Sequence, residues 1–138
     1  MVISKELELH TQGRCDIQDI TPQVTKAVQD SQLRAGIVAI FCPGSTGGLT
    51  TIEYESGVIT DLQNVLDRLV PPGPDYRHHR RWGDDNGHSH VRAALVGPSL
   101  TVPFAEGRLS LGTWQQIVFL DFDTQARSRR LVLQLLGE

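Results

Sequence analysis

Hydrophobic and polar residues alternate near both ends of the chain, a pattern that predicts strands with one buried face. Val2 to Leu9 alternates apolar with mostly charged or polar side chains, and leucines recur at every second position from 131 to 135. Gly36 to Cys42 is continuously apolar instead, which predicts a central strand covered on both faces. Shorter strands are predicted at Leu49 to Tyr54 and Leu100 to Phe104, the latter followed by a turn at Glu106-Gly107.

Three segments have the spacing or the boundaries of helices. The best of them has apolar residues three or four positions apart from Val58 to Leu69, and we expect Ser56 to cap it. Thr21-Pro22 predicts the start of a second helix, because threonine can cap free amides and proline suits the first helical position. A short third helix is predicted from His88 to Val96, ended by Gly97 and Pro98.

This order of elements predicts an α+β fold, a sandwich of largely antiparallel sheet with two to three helices. No linker or repeat divides residues 1–138, so we expect a single domain. Leu109 to Asp123 has apolar side chains on both faces of a predicted strand. Since a small domain has limited means of covering two faces, we expect one of them to pack against another subunit.

The composition argues against several classes of protein. With 138 residues, 39% of them hydrophobic, the chain can bury a core without disulfides or structural metal. Its net charge of -3 gives no field that attracts nucleic acid or an anionic membrane, so we expect neither as a partner. Cys15 and Cys42 are isolated, no signal peptide is recognisable, and no apolar run reaches the roughly 20 residues that span a bilayer. We therefore expect a soluble, cytoplasmic protein with free, buried cysteines.

The strongest chemical signal is a histidine cluster, because four of the five histidines lie between Tyr76 and His90. Turns flank this stretch, and neutral imidazole is a common ligand for zinc and similar metals. In an extended backbone His88 and His90 would lie on the same side and could share a metal, with His78 or His79 as a third ligand. That arrangement requires the helix to begin no earlier than this tripeptide. The alternative is a solvated basic loop.

Other polar residues extend this hypothetical site. Asp85 and Asn86 are candidates for outer ligands, for orienting the imidazoles, or for a simple turn. Gly44 to Gly48 follows an apolar strand, so its small residues could let amides and hydroxyls approach phosphate, although it lacks the ending of a P-loop. The alternative is a glycine-rich turn between strands. Glu53 is a candidate general base, and the arginines at 127, 129 and 130 could bind phosphate or protect an edge strand.

These segments together resemble a known family. Gly44-Ser-Thr-Gly-Gly-Leu-Thr-Thr-Ile-Glu-Tyr-Glu55, Asn86-Gly-His-Ser-His90 and Gly107-Arg-Leu-Ser-Leu-Gly-Thr-Trp-Gln115 resemble motifs of the YjbQ-like family, often called secondary thiamine-phosphate synthase. The similarity runs nearly end to end. It implies a compact α+β sandwich, commonly a homotrimer, with a polar pocket formed by these motifs. One departure is that Gly44 stands where many members have histidine, and we infer that His88 supplies the missing imidazole.

The resulting expectation is a metal-dependent enzyme acting on a small phosphorylated molecule. The resemblance implies a secondary activity that joins a pyrimidine pyrophosphate to a thiazole phosphate. A divalent metal, zinc or magnesium, would neutralise the departing pyrophosphate. The alternative is a trimer that binds a metal or ligand without catalysis. In the enzyme the metal ligands would be His78, His88 and His90, the carboxylate bases Glu53 and Asp85, and the substrate contacts Ser45, Thr46, Gly47, Asn86, Thr113 and Gln115.

Overall fold

A computed structural model describes all 138 residues as eight strands and four helices. The fold is α+β, as predicted, with four helices rather than two to three. The elements follow in the order β1 (Val2–Thr11), β2 (Asp16–Asp19), α1 (Thr21–Ser31), β3 (Gly36–Phe41), β4 (Gly47–Ile52), α2 (Ser56–Leu69), α3 (Arg77–Trp82), α4 (Gly87–Val96), β5 (Ser99–Ala105), β6 (Arg108–Leu109), β7 (Gln116–Asp121) and β8 (Arg127–Gly137).

The strands form two sheets in which every pairing is antiparallel. The larger sheet has the order β1-β8-β3-β5-β6, and the smaller one has the order β2-β7-β4. Strand β8 spans most of the larger sheet and pairs with β1 from Val2↔Leu136 to Thr11↔Arg127. The long apolar segment predicted from Leu109 to Asp123 is interrupted, since only its two ends belong to strands β6 and β7.

The main core lies between the two sheets and under α1. Every second residue of the long strands points inward, including Val38, Ile40 and Leu133, and these pack with Phe119 from the smaller sheet. Helix α1 closes one side of this core with Val24 and Val28. The prediction that β3 is covered on both faces is wrong, because Ile37 and Phe41 on its outer face are 40% and 45% exposed.

A second core lies on the other side of the smaller sheet. Val118, Leu120 and Phe122 point away from the main core and pack with Leu66 of α2 and Ala93 of α4. Strand β7 is therefore buried on both faces within one chain, since it is the middle strand of a sheet that lies between the larger sheet and two helices. A partner subunit is not needed to cover it, contrary to the expectation from sequence.

The helix ends differ from the predicted caps. Glu55, not Ser56, caps α2, because its carboxylate accepts hydrogen bonds from Gly57 N at 2.6 Å and Val58 N at 2.9 Å. Thr21 is the first residue of α1, and its hydroxyl accepts a hydrogen bond from Ile117 N of β7 at 2.8 Å. The threonine thus connects the helix to the smaller sheet instead of capping it. None of the four helices combines the length and the apolarity that crossing a bilayer would require.

Candidate functional site

The turn between α3 and α4 brings four of the predicted site residues near one another, namely His78, Asp85, Asn86 and His90. Helix α3, Arg77–Trp82, lies where the sequence indicated only a loop, and α4 begins at Gly87. The two helices approach closely at Gly87, where a Cβ atom would lie 2.5 Å from Tyr76 Cβ and 3.3 Å from His78 Cβ. Only glycine permits this approach, which brings His78 beside the first turn of α4.

The predicted three-histidine metal site does not form in this geometry. His88 and His90 both lie in α4, where residues two positions apart point roughly 160° away from each other around the helix axis. His88 lies near Tyr76 instead, with ring centroids 6.3 Å apart. No group of three His, Cys, Asp or Glu side chains in the chain is arranged to hold a metal ion. The three imidazoles therefore do not fit one metal.

Two of these histidines do meet. The rings of His78 and His90 have centroids 4.4 Å apart at a tilt of 40°. Asp84 Oδ1 lies 3.2 Å from His78 Nδ1, although the pair lacks the geometry of a hydrogen bond. His79 lies on the other side of the turn, where its Nδ1 accepts a hydrogen bond from Asp85 N at 3.0 Å.

A buried carboxylate connects this turn to the glycine-rich loop. Asp123 Oδ2 accepts hydrogen bonds from Thr46 Oγ1 at 3.1 Å and from Asn86 Nδ2 at 3.3 Å. Burial alone would raise the pKa of Asp123, but hydrogen bonds from Gln125 N, Arg127, Asn86 and Thr46 outweigh it and hold this pKa below its usual value. Asp123 is thus a carboxylate at neutral pH.

A second carboxylate completes what we call the Asp123 network. Arg129 makes a two-point ion pair with the fully buried Asp121, with Nε–Oδ2 at 2.7 Å and Nη2–Oδ1 at 2.8 Å. The hydrogen bonds to Asp121 raise the pKa of Arg129. Arg129 Nη2 also donates to Thr46 Oγ1 at 2.7 Å. The members of the network are Thr11, Thr46, Asn86, Asp121, Asp123, Arg127 and Arg129.

The glycine-rich loop contributes to this site less than the sequence suggested. A Cβ atom at Gly47 would lie 2.7 Å from Phe119 Cζ and 3.1 Å from Cys42 Sγ, so Gly47 faces the core. Its lack of a side chain is explained by packing at the first residue of β4, which favours a structural role over a phosphate contact. Ser45 is exposed beside it.

The loop also does not bring His88 to the position of the missing family histidine. The space beside Gly44 contains Arg129 Nη1, 3.3 Å from an added Cβ atom, and Cys42 Sγ at 3.8 Å, and no atom of His88 within 4 Å. Our inference that His88 replaces that imidazole finds no support in this arrangement.

Glu53, Thr113 and Gln115 lie at the opposite end of the smaller sheet. Glu53 follows the last residue of β4, whereas Thr46 precedes the first, and a six-residue strand separates such positions by roughly 20 Å. Gln115 is at the Glu53 end, where its Nε2 donates to Thr51 Oγ1 at 3.0 Å. Within one chain these residues do not join Thr46 and Asn86 in a single site.

His88 faces a different side of α4, together with Arg92 one turn later. Both side chains are buried, and both line a cleft of about 580 Å³ that has no hydrophobic residue in its lining. Burial, and then the positive charge of Arg92, lower the pKa of His88. Asp85 lines the same cleft.

Three buried side-chain atoms in the chain have no hydrogen-bond partner, namely His78 Nδ1, Asn86 Oδ1 and His88 Nδ1. All three belong to residues that the sequence singled out. Native proteins rarely leave such atoms unpaired, and each exception requires an explanation. An ordered water or a bound ligand can supply the missing partners.

Sequence reasoning missed Asp121, Asp123 and Arg92 as site residues. The sequence contains a signal for Asp121 and Asp123, since burying a carboxylate in an apolar strand costs free energy unless the carboxylate is paired. Arg92 follows His88 by four residues, which puts both on one helix face. Nothing local in the sequence pointed to Arg14, which also lines the cleft.

A family model and several known proteins are similar to this chain over most of its length. A family model described as "UPF0047 protein YjbQ-like" matches residues 5–138. A UPF0047 protein of Archaeoglobus fulgidus is 41% identical over 131 residues, covering 95% of this chain and 99% of its own. Another, from Methanothermobacter thermautotrophicus, is 37% identical over 137 residues, covering 99% and 94%.

Solved structures share the fold. A YbjQ-like protein of unknown function from Sulfolobus solfataricus has a TM-score of 0.93 and 30% identity, covering 100% of this chain and 99% of its own. An uncharacterised protein of the YjbQ/UPF0047 family from Clostridium acetobutylicum has a TM-score of 0.87 and 34% identity, covering 96% and 99%.

Proposed function

The chain belongs to the YjbQ-like family of UPF0047 proteins, and from the geometry of its α3–α4 turn we propose that it is an enzyme acting on a small phosphorylated substrate. The observation that carries this proposal is the pair of unpaired buried atoms at this turn, His78 Nδ1 and Asn86 Oδ1. A substrate held at this turn satisfies them, and the Asp123 network fixes Asn86 in position through its other side-chain atom.

The polar groups around the turn suit a phosphorylated molecule. Arg127, whose side chain is 45% exposed, and the exposed Ser45 lie on two segments that the Asp123 network joins. A guanidinium group and a hydroxyl are common partners of phosphate oxygens. His78 and His90 are the candidate general acid and base of this site, because imidazole is the side chain that most often serves in that role.

Thiamine-phosphate synthase activity is the specific reaction within this proposal, and it comes from the family resemblance rather than from the site. The reaction would join a pyrimidine pyrophosphate to a thiazole phosphate and release pyrophosphate. Because the three imidazoles do not converge, we assign no step of it to a metal. Asp85 stays a candidate base beside the cleft, whereas Glu53 stays a candidate only for a separate site at the other end of β4.

A second candidate function is metal or ligand binding without turnover. The contact between His78 and His90, with ring centroids 4.4 Å apart, favours this second function, because two adjacent imidazoles can provide two of the ligands of a zinc site. The homotrimer expected from the resemblance is compatible with either candidate.

A turnover assay separates the two candidates. Pyrophosphate release is measured from a pyrimidine pyrophosphate with a thiazole phosphate, with and without added zinc or magnesium. We expect saturable release that His90→Ala reduces by about 100-fold, the usual contribution of a general acid or base. His10→Ala is the matched control, because this exposed histidine lies on β1 and contacts Ser128. Binding of both compounds without release would favour the second candidate.

A further inference from the structure

The cleft beside α4 is a polar cavity to which the proposed reaction assigns no ligand. It lies between the end of α2, the α3–α4 turn, α4, and the turns before β2 and β8, and its volume is about 580 Å³. That volume is within the usual range of small-molecule sites. None of the residues in its lining is hydrophobic, so the cleft suits a small polar ligand.

The charges of the cleft favour a cation over an anion. Three carboxylates line it, and only two guanidinium groups oppose them. The guanidinium of Arg92 is buried and already occupied, because it donates to Asp67 Oδ1 and to Val70 O, each at 3.0 Å. Arg14 is exposed, so water and salt screen its charge. Since Arg92 and Asp67 neutralise each other, the cleft retains two carboxylates and one exposed arginine.

Asp84 and Asp85 carry the negative charge that no histidine compensates. Asp84 Oδ1 lies 3.2 Å from His78 Nδ1 without the geometry of a hydrogen bond. Asp85 Oδ1 lies 3.1 Å from His79 Nδ1, but that nitrogen accepts a hydrogen bond from Asp85 N and therefore carries no proton for the carboxylate. Both carboxylates are thus available to an incoming positive group.

His88 gives an independent indication that the cleft holds a ligand. Its side chain lines the cleft, is 5% exposed, and leaves Nδ1 without a hydrogen-bond partner. Burial and the charge of Arg92 lower the pKa of His88, so the ring is neutral at pH 7 and has one nitrogen that can accept a hydrogen bond. An unpaired buried atom of this kind costs free energy, which a donor entering the cleft can offset.

A protonated amine fits these groups better than a bare metal ion does. A metal ion requires several ligating side chains around one point, and no three His, Cys, Asp or Glu side chains of the chain are arranged in that way. An ammonium group has three N–H donors and no acceptor, so a smaller number of acceptors can hold it. Asp85 and His88 are two such acceptors, and they are close enough for the charge of Asp85 to act on the imidazole.

We propose that this cleft binds a protonated amino group of a small molecule, which donates hydrogen bonds to the carboxylate of Asp85 and to Nδ1 of His88. Asp84 adds negative charge to the cleft, and Gln125 lines it as a further polar contact. Arg14 opposes the cation and limits its affinity. The inference requires binding and no turnover, so it does not rest on the proposed enzyme.

The test uses putrescine and methylammonium as probes of the full-length protein, with butanediol as the uncharged control and sodium chloride to match ionic strength. Binding is followed by calorimetry and by NMR. We expect both amines to bind saturably and the ring-nitrogen signal of His88 Nδ1 to shift with the same affinity. Asp85→Asn should weaken binding by about ten-fold or more, because it removes a charge-assisted contact. Asp75→Asn removes the same charge from an exposed residue outside the lining and should leave affinity unchanged.

Arg14→Gln tests the sign of the charge that the cleft selects. This variant should strengthen amine binding by about two- to five-fold, because it removes an opposing exposed charge. Asp85 and Arg14 are both exposed, so both variants should fold like the wild type. The inference is overturned if neither amine binds saturably, if Asp85→Asn binds as tightly as the wild type, or if Arg14→Gln binds more weakly. Butanediol that binds as tightly as putrescine, or magnesium that displaces putrescine at equal concentration, would overturn it as well.

Discussion

Thr46 and Asn86 donate hydrogen bonds to the same oxygen, Oδ2 of Asp123, over 3.1 and 3.3 Å. One residue belongs to the glycine-rich loop and the other immediately precedes α4, so a single carboxylate holds together two segments that the sequence marked separately. Because Asp123 is 4% exposed, water cannot replace a lost partner at this point. The integrity of the candidate site therefore depends on Asp123.

The first prediction is that Asp123→Asn destabilises the protein by about 2–4 kcal/mol, because the amide nitrogen would face hydrogen-bond donors in a buried site. Urea unfolding followed by circular dichroism measures this change. Asp61→Asn, at an exposed position of α2, should change stability by less than about 0.5 kcal/mol. A loss of the same size in both variants would show that the effect is not specific to the network.

A second prediction concerns acid. The folded pKa of Asp123 lies below its unfolded value, so the carboxylate contributes stability that is complete above the unfolded pKa and is lost as pH falls through the folded pKa. The stability difference between the wild type and Asp123→Asn should be constant from about pH 5 to pH 7 and shrink below about pH 4. Unfolding curves across this range test it. A difference that persists unchanged at about pH 2 contradicts it.

The sequence predicted those helices and strands whose apolar residues recur at a regular spacing. Helix α2 was found because its apolar residues recur every three or four positions, and β1 because its side chains alternate. Helix α3 was missed because Arg-His-His-Arg-Arg-Trp has no apolar stripe. The motifs of the site can be recognised in the sequence, but their arrangement in space cannot. Thr46, Asn86 and Asp123 meet through contacts between segments that are distant along the chain. The spacing of residues within one segment does not reveal such contacts. The spacing of His88 and His90 predicts a shared metal only in an extended backbone, whereas both residues lie in helix α4.

The third prediction is that Gly47→Val disrupts packing rather than ligand access. The added atoms would overlap Phe119 and Cys42, and overpacking of this kind costs about 1–3 kcal/mol or more. Thermal unfolding should show the loss without any ligand present. Gly112→Ala is the control, since its added Cβ atom would make only ordinary contacts with Gln115, at 3.7 and 3.8 Å. If Gly47→Val is as stable as the wild type, packing does not explain this glycine, and Gly47 becomes a candidate ligand contact again.

The fourth prediction is that zinc binding depends on His78 and His90 but not on His88. The first two rings are adjacent, whereas His88 points to the other side of α4. Equilibrium dialysis followed by elemental analysis should find bound zinc lost in the His78→Ala/His90→Ala double variant and retained in His88→Ala. Circular dichroism checks that both variants are folded. Equal loss in both would restore the three-histidine arrangement, and no zinc in the wild type would reject metal binding by this pair.

The fifth prediction concerns assembly. The outer face of the larger sheet has a contiguous apolar row, because Ile37 of β3 lies opposite Leu136 of β8, which lies opposite Val2 of β1. These side chains are 40%, 50% and 57% exposed, and such rows commonly mark subunit contacts. We propose that the homotrimer suggested by the family resemblance forms through this face. Strand β7, where the sequence predicted a subunit contact, is already covered on both faces within one chain.

Sedimentation velocity at micromolar concentration tests the assembly with a pair of matched variants. Ile37→Lys/Leu136→Lys should sediment as a folded monomer, because two charges would have to be desolvated at each contact. Leu95→Lys adds a charge at a residue that is 66% exposed on α4, away from the sheet, and should keep the assembly of the wild type. If Leu95→Lys dissociates the protein while the double variant stays assembled, the contact lies on the helices and the sheet face is free.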